Sequence, residues 1–196
     1  MATPESHLSP DFVAAQAAKT IALQMLEERG RGAVLVGVAR VDAALEHLLQ
    51  AVLAPATAKN DGLFFPDRPL GSIGAKVALA SRMGLIDTGV ERALNVLRKL
   101  RNAFAHSTES ASLADPVHSS QLMEVYELAR ANPLWAPLET VLAAQPPTTH
   151  GPLDQSLRDY ILLITILVAF LEATAQQLEP IQPPVVMGLG GISPVS

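Results

Sequence analysis

The sequence predicts an all-α protein, a single bundle of about six to seven helices. Three observations lead there. Alanine and leucine dominate and aromatics make up only 4% of the 196 residues, a mix that loses little entropy in a helix. Apolar residues recur at a spacing near 3.6 in one segment after another, and no segment alternates with period 2. Helix-starting and helix-breaking residues fall between those segments. About half the residues are apolar (49%), enough for one domain with its own core. The boundaries expected are a flexible N-terminus over 1–8, a helical domain over 9–178 and a Pro/Gly-rich flexible tail over 179–196.

Ser9-Pro10 caps a first helix whose broad apolar face (Val13, Ala17, Ile21, Leu23, Met25, Leu26) runs to about Glu28. Gly30 and Gly32 break it. A second helix spans about Ala33 to Leu53, with Val34, Val38, Val41, Leu45, Leu48, Leu49 and Val52 on one face, and Pro55 ends it. Residues 56–70 read as a loop, with Asn60-Asp61-Gly62 as a turn signal and Phe64 and Phe65 pinning it to the core. Gly71 or Ser72 starts a third helix that ends near Gly84. Asp87 or Thr88 caps a fourth, whose core face is Val90, Leu94, Leu97, Leu100 or Arg101, and Phe104, and which ends around His106-Ser107. Asp115-Pro116 opens a fifth, broken at Asn132-Pro133. A short helix over Leu134–Ala144 is anchored by Trp135, and a last one runs from about Leu153 to Leu178. After Glu179, IQPPVVMGLGGISPVS carries too many prolines and glycines for a regular element. MGLGG is no nucleotide fingerprint, since no strand precedes it and no helix follows.

Composition excludes several function classes. With no cysteine there is no disulfide framework, thiolate metal site or cysteine nucleophile. MATPESHLSP is not a secretory signal. The most apolar stretch, Tyr160–Leu171, spans roughly 18 Å as a helix, short of a bilayer core of about 30 Å, so it reads as a buried core helix. A cytoplasmic protein with no membrane contact is expected. The net charge of −5 disfavours a general nucleic-acid binder. The charge is uneven: residues 62–106 carry 7 basic and 3 acidic groups, a net +4, between flanks of −2 and −7.

That basic segment ends at Arg98-Lys99-Leu100-Arg101-Asn102-Ala103-Phe104-Ala105-His106. Arg98, Asn102 and His106 stand at i, i+4 and i+8 and share a helical stripe, with Arg101 on its flank and Phe104 and Ala105 turned toward packing. One reading is a cationic last turn, with His106 capping carbonyls. The other is chemical. Histidine transfers protons near neutral pH, a fixed guanidinium stabilises charge on a phosphoryl group, and asparagine orients either. Two copies across a dimer axis would supply an acid and a base for metal-free RNA cleavage through the 2′-hydroxyl. Asp42, a carboxylate on an otherwise apolar helix, either pairs with Arg101 or Arg98 or faces water. Lys76 is a candidate for support or for simple snorkelling. His7, His47, His118 and His150 do not cluster in sequence, so no metal and no other cofactor is expected.

Arg101 through His106 resembles the Arg-x4-6-His motif of HEPN-like domains, with the polar residue directly after the arginine. The surrounding sequence resembles the mannitol-operon repressor family, a branch of those helical proteins. Residues 28–35, Val41-Asp42-Ala43-Ala44-Leu45 with Leu48-Leu49, Leu63-Phe64, Pro69-Leu70-Gly71-Ser72, Ala75-Lys76, Leu79-Ala80, Gly84-Leu85-Ile86 and residues 97–106 carry the likeness. It covers roughly residues 12–130. The resemblance implies a regulatory protein, named for repression of mannitol use, that acts through other proteins. No helix-turn-helix with a basic recognition helix, zinc ligand set or basic tail suggests direct DNA reading. The expected partners are a second copy of the chain and a regulator or transporter component, with Asp42, Lys76 and Arg98 as binding or structural support. The competing class, implied by ribonuclease members of the wider group, is a metal-independent endoribonuclease. It would use Arg101, Asn102 and His106 at a dimer interface.

Overall fold

The computed structural model describes residues 10–26, 28, 30–56, 62–106, 111–145, 151–182 and 185–194. The expected flexible N-terminus lies outside them. The helices are α1 (Pro10–Met25), α2 (Gly30–Val52), α3 (Ile73–Arg82), α4 (Thr88–His106), α5 (Pro116–Arg130), α6 (Trp135–Ala143) and α7 (Gln155–Ala175), with a 3-10 turn at Gly62–Phe64. The all-α bundle read from the sequence is what forms.

Helix starts follow local chemistry. Ser72 Oγ accepts from the Ala75 amide (3.2 Å), Asp87 Oδ1 from Val90 (2.8 Å) and Asp154 Oδ1 from Leu157 (2.9 Å), each a capping bond worth about 1 kcal/mol. Asp115 behaves differently. Its Oδ2 accepts from the Ser112 amide at 2.9 Å, in the approach to α5 rather than in its first turn. Gly30 and Gly32, expected to separate α1 from α2, lie inside the first turn of α2.

α7 is the centre of the bundle. It packs on α1, α2, α5 and α6 and is buried almost all round from Leu157 to Ala169. Each large aliphatic side chain so buried contributes roughly 1.5–3 kcal/mol. α2 lies between α7 on one side and α3 and α4 on the other. The α2–α7 approach depends on Gly37, where a Cβ would sit 2.6 Å from the Tyr160 hydroxyl oxygen. That hydroxyl donates to the Val34 carbonyl at 3.0 Å inside the core. No described helix is long and apolar enough to cross a membrane.

Two expectations need correction. Of the two phenylalanines in the 56–70 loop, Phe64 is buried in the core and Phe65 is exposed. The loop closes through Leu70 N–H on the Leu63 carbonyl (3.1 Å) and Gly71 N–H on that of Arg68 (2.9 Å). Gly71 is required there, because a Cβ would fall 2.1 Å from the Phe65 carbonyl oxygen. The tail is not wholly irregular either. Val185–Gly188 (β1) pairs antiparallel with Gly191–Pro194 (β2) across a Leu189-Gly190 turn. The glycines make the turn, Val185 and Val186 suit a strand, and Pro194 occupies the terminal pair, where a missing N–H interrupts no ladder. Upstream, the Ile181 amide donates to the Val52 carbonyl at 2.8 Å, tying the base of the tail to the end of α2.

Candidate functional site

Three elements enclose a cleft of about 550 Å³: α2, the entry into α3, and the last two turns of α4. α2 contributes Leu35, Val38, Ala39 and Asp42. Residues Gly71–Gly74 supply backbone at the start of α3, and α4 contributes Arg98, Arg101, Asn102 and Ala105. The compact 62–71 loop aims the α3 N-terminus at α4. The spacing of three and four residues turns Arg98, Arg101 and Asn102 toward the same side. Leu94, Leu97, Leu100 and Phe104 hold α4 by its opposite, buried face. Of the sequence alternatives at that face, Leu100 and not Arg101 enters the core.

Asp42 pairs with neither arginine. Its Oδ1 accepts from Lys76 Nζ at 2.9 Å, and Glu46 Oε2 accepts from the same ammonium at 2.7 Å. Asp42 and Glu46 are one helical turn apart on α2, and α3 places Lys76 between them. Lys76 does not snorkel: its side chain is 3% exposed, against about a third for each carboxylate (34% and 33%). Its Nζ lies 6.0 Å from the centre of the buried Phe64 ring, within cation–π reach. Burial by itself lowers the ammonium's pKa, but the bonds to Glu46 and Asp42 and their charges outweigh it and hold the group above its ordinary value. The trio locks α3 onto α2 and so fixes the floor of the cleft.

The Arg101–His106 motif is divided by the fold. Arg101 and Asn102 line the cleft, Arg101 Nη1 standing 3.5 Å from Asn102 Oδ1. His106 is exposed at the end of α4 and is not among the lining residues. Arg98 is half-buried. Its Nε is shielded from solvent without a hydrogen-bond partner among the described residues, and its Cδ runs over Gly74, where a Cβ would stand 3.4 Å away. Arg31 Nη2 donates to the Ala105 carbonyl at 2.8 Å, bringing a further guanidinium to the end of the cleft. No family model, curated protein or solved structure matches the chain.

The other histidines lie apart. His47 Nδ1 is 2.6 Å from Glu172 Oε2, and the His118 ring is tilted against Phe104 with centroids 5.2 Å apart. His7 and His150 are outside the described residues. Among the described residues no group of three or more His, Asp or Glu side chains could hold a metal.

Two features escaped the sequence reading. Between α5 and α7, Asp159 is buried and accepts from Arg130 Nη2 (2.8 Å) and Gln155 Nε2 (2.7 Å). Arg130 also lies over the rings of Tyr126 (5.9 Å) and Trp135 (5.6 Å). The Tyr126 hydroxyl is buried beside this pair without a partner among the described residues. Burial first, and the Asp159 charge second, push its pKa up. The available signal was a lone carboxylate on the threshold of the apolar run Tyr160–Leu171, which needs a partner. The second feature is an apolar groove of two adjoining hollows, about 300 and 220 Å³, between α4, α5 and α7. Asp87, Val90, Asn132, Ile166 and Leu167 are common to both hollows. Leu128 and Phe170 are lining residues that remain exposed. Leu128 is one of three exposed apolar side chains on α5, with Val117 and Met123, and Phe170 sits inside the apolar run of α7, so periodicity singles out neither.

Proposed function

We propose that this chain is a regulatory protein that works by contact with other proteins, itself included, rather than by reading DNA. The regulatory half of the reading comes from the resemblance of residues 12–130 to the mannitol-operon repressor family. The contact half is carried by the α4–α5–α7 groove, where Leu128 and Phe170 stay in water beside Val90, Ile166 and Leu167, with Asp87 and Asn132 among the lining. An apolar surface of that kind lowers its free energy when a partner covers it. The expectation that DNA is not read directly rests on the sequence, which carries no recognisable helix-turn-helix with a basic recognition helix. The test removes the chromosomal copy and follows transcripts of the adjacent genes. Wild type restores their level, while Phe170→Asp with Leu128→Asp, folded by circular dichroism, does not. Restoration by the groove variant, or tight and sequence-selective binding of the isolated protein to operator DNA, overturns the reading.

The alternative is a metal-independent endoribonuclease using Arg101, Asn102 and His106, and one observation favours it. All three residues are exposed on α4, so a second copy could bring another His106 to this Arg101. Cleavage of a generic RNA without metal, reduced roughly a hundredfold or more by His106→Ala, is the result this reading requires.

A further inference from the structure

We propose that the cleft between α2, α3 and α4 is a binding site for a small molecule carrying a phosphate monoester. The inference does not depend on the partner contact proposed above. The cleft walls bring two guanidinium groups, Arg98 and Arg101, to one space with the Asn102 amide. The first turn of α3 faces the same space. Its Ile73 and Gly74 amides precede the first intrahelical bond, whereas the Ala75 amide is taken by Ser72 Oγ. Arginine forks and helix N-termini both favour a compact dianion with several acceptor oxygens. A phosphate monoester is mostly such a dianion at pH 7.

The surrounding geometry supports the same ligand class. Asp42 also lines the cleft, and Lys76, which it shares with Glu46, offsets only part of its repulsion of an incoming anion, so binding falls to the Arg98 and Arg101 pair. Gly74 leaves the Arg98 stem and the α3 backbone in contact, with no side chain between the guanidinium and the helix start. A bare phosphate would fill little of about 550 Å³. Leu35, Val38 and Ile73 give the remaining space apolar walls for the organic part of a monoester.

Titration calorimetry with methyl phosphate and with inorganic phosphate, at fixed pH and chloride-balanced ionic strength, tests the site. Wild type should show saturable 1:1 binding of both. Arg101→Gln, at an exposed side chain, should weaken it at least tenfold with an unchanged melting temperature. Arg98→Gln should do the same if it folds, and if it does not, Arg101→Gln decides alone. Arg82→Gln at the far end of α3 should leave affinity within twofold. Absence of saturable binding by wild type overturns the proposal, as does equal affinity in Arg101→Gln, or equal loss in Arg82→Gln. A hexanucleotide RNA without terminal phosphates that displaces methyl phosphate at lower concentration also overturns it, in favour of a nucleic-acid site.

Discussion

Among the described residues, two buried charges are held in opposite ways. On the α2–α3 side the buried group is a cation, Lys76, served by two carboxylates at the rim. On the α5–α7 side it is an anion, Asp159, whose side chain is 7% exposed and whose cation, Arg130, is 41% exposed. In both, the ion inside has fewer routes to water than its partners. Deleting a partner therefore strands a charge, whereas deleting the buried ion frees its partners to hydrate. The cost of breaking each cluster should depend on which end is cut.

The largest effect is expected from Asp42→Asn with Glu46→Gln, which leaves Lys76 buried against neutral groups. A loss of about 3–5 kcal/mol in chemical denaturation is expected. A loss below about 1 kcal/mol would show that Lys76 reaches water by another route. Arg130→Ala comes next, at about 2–3 kcal/mol, because Gln155 still donates to Asp159. Combining it with Asp159→Leu should recover much of that loss, and failure to recover would place the cost in Arg130's packing on Tyr126 and Trp135. Lys76→Met is expected to cost least, within about 1 kcal/mol, since Asp42 and Glu46 are both partly solvated. A large loss there would reverse the ordering.

A titration sharpens the same contrast. Lys76 has a folded pKa above its ordinary value of 10.5, so its contribution is complete below that value and is lost as pH rises through the folded pKa. The hydroxyls of Tyr126 and Tyr160 are also raised by burial above their ordinary value of 10.0. Above that pH the unfolded chain loses protons that the folded one keeps, which again favours unfolding. Stability should therefore fall on the alkaline side from about pH 10. Tyr126→Phe should make the fall shallower, and an unchanged pH profile in that variant would remove Tyr126 from this account.

The bundle was legible in the sequence because its signals are local. The stripe Val34–Val52 and the caps Ser72 and Asp87 act within a few residues of themselves. Lys76 and Asp42 were singled out, but their pairing was not, because spacing along α2 and α3 says nothing about which faces meet. Charge alone fits Arg98 and Arg101 to Asp42 as well as it fits Lys76, and the packing of α3 on α2 selects Lys76. Composition conceals the hairpin because position decides it: glycines sit at the turn and Pro194 at the open end. In the motif, Arg101 and Asn102 belong to the cleft and His106 does not, a division set by where α4 stops.

The position of α7 has a consequence for how the chain is made. The helix that fills the centre is the last of the seven to be synthesised, and α2, which it covers, is the second. At about 5–20 residues per second, the interval between completing α2 at residue 52 and α7 at residue 175 is roughly 6–25 s. Throughout it the Val34–Gly37 side of α2, which meets Tyr160 and Ile164 in the folded chain, lacks its final cover, and that face must be kept from other nascent chains by provisional contacts or a chaperone.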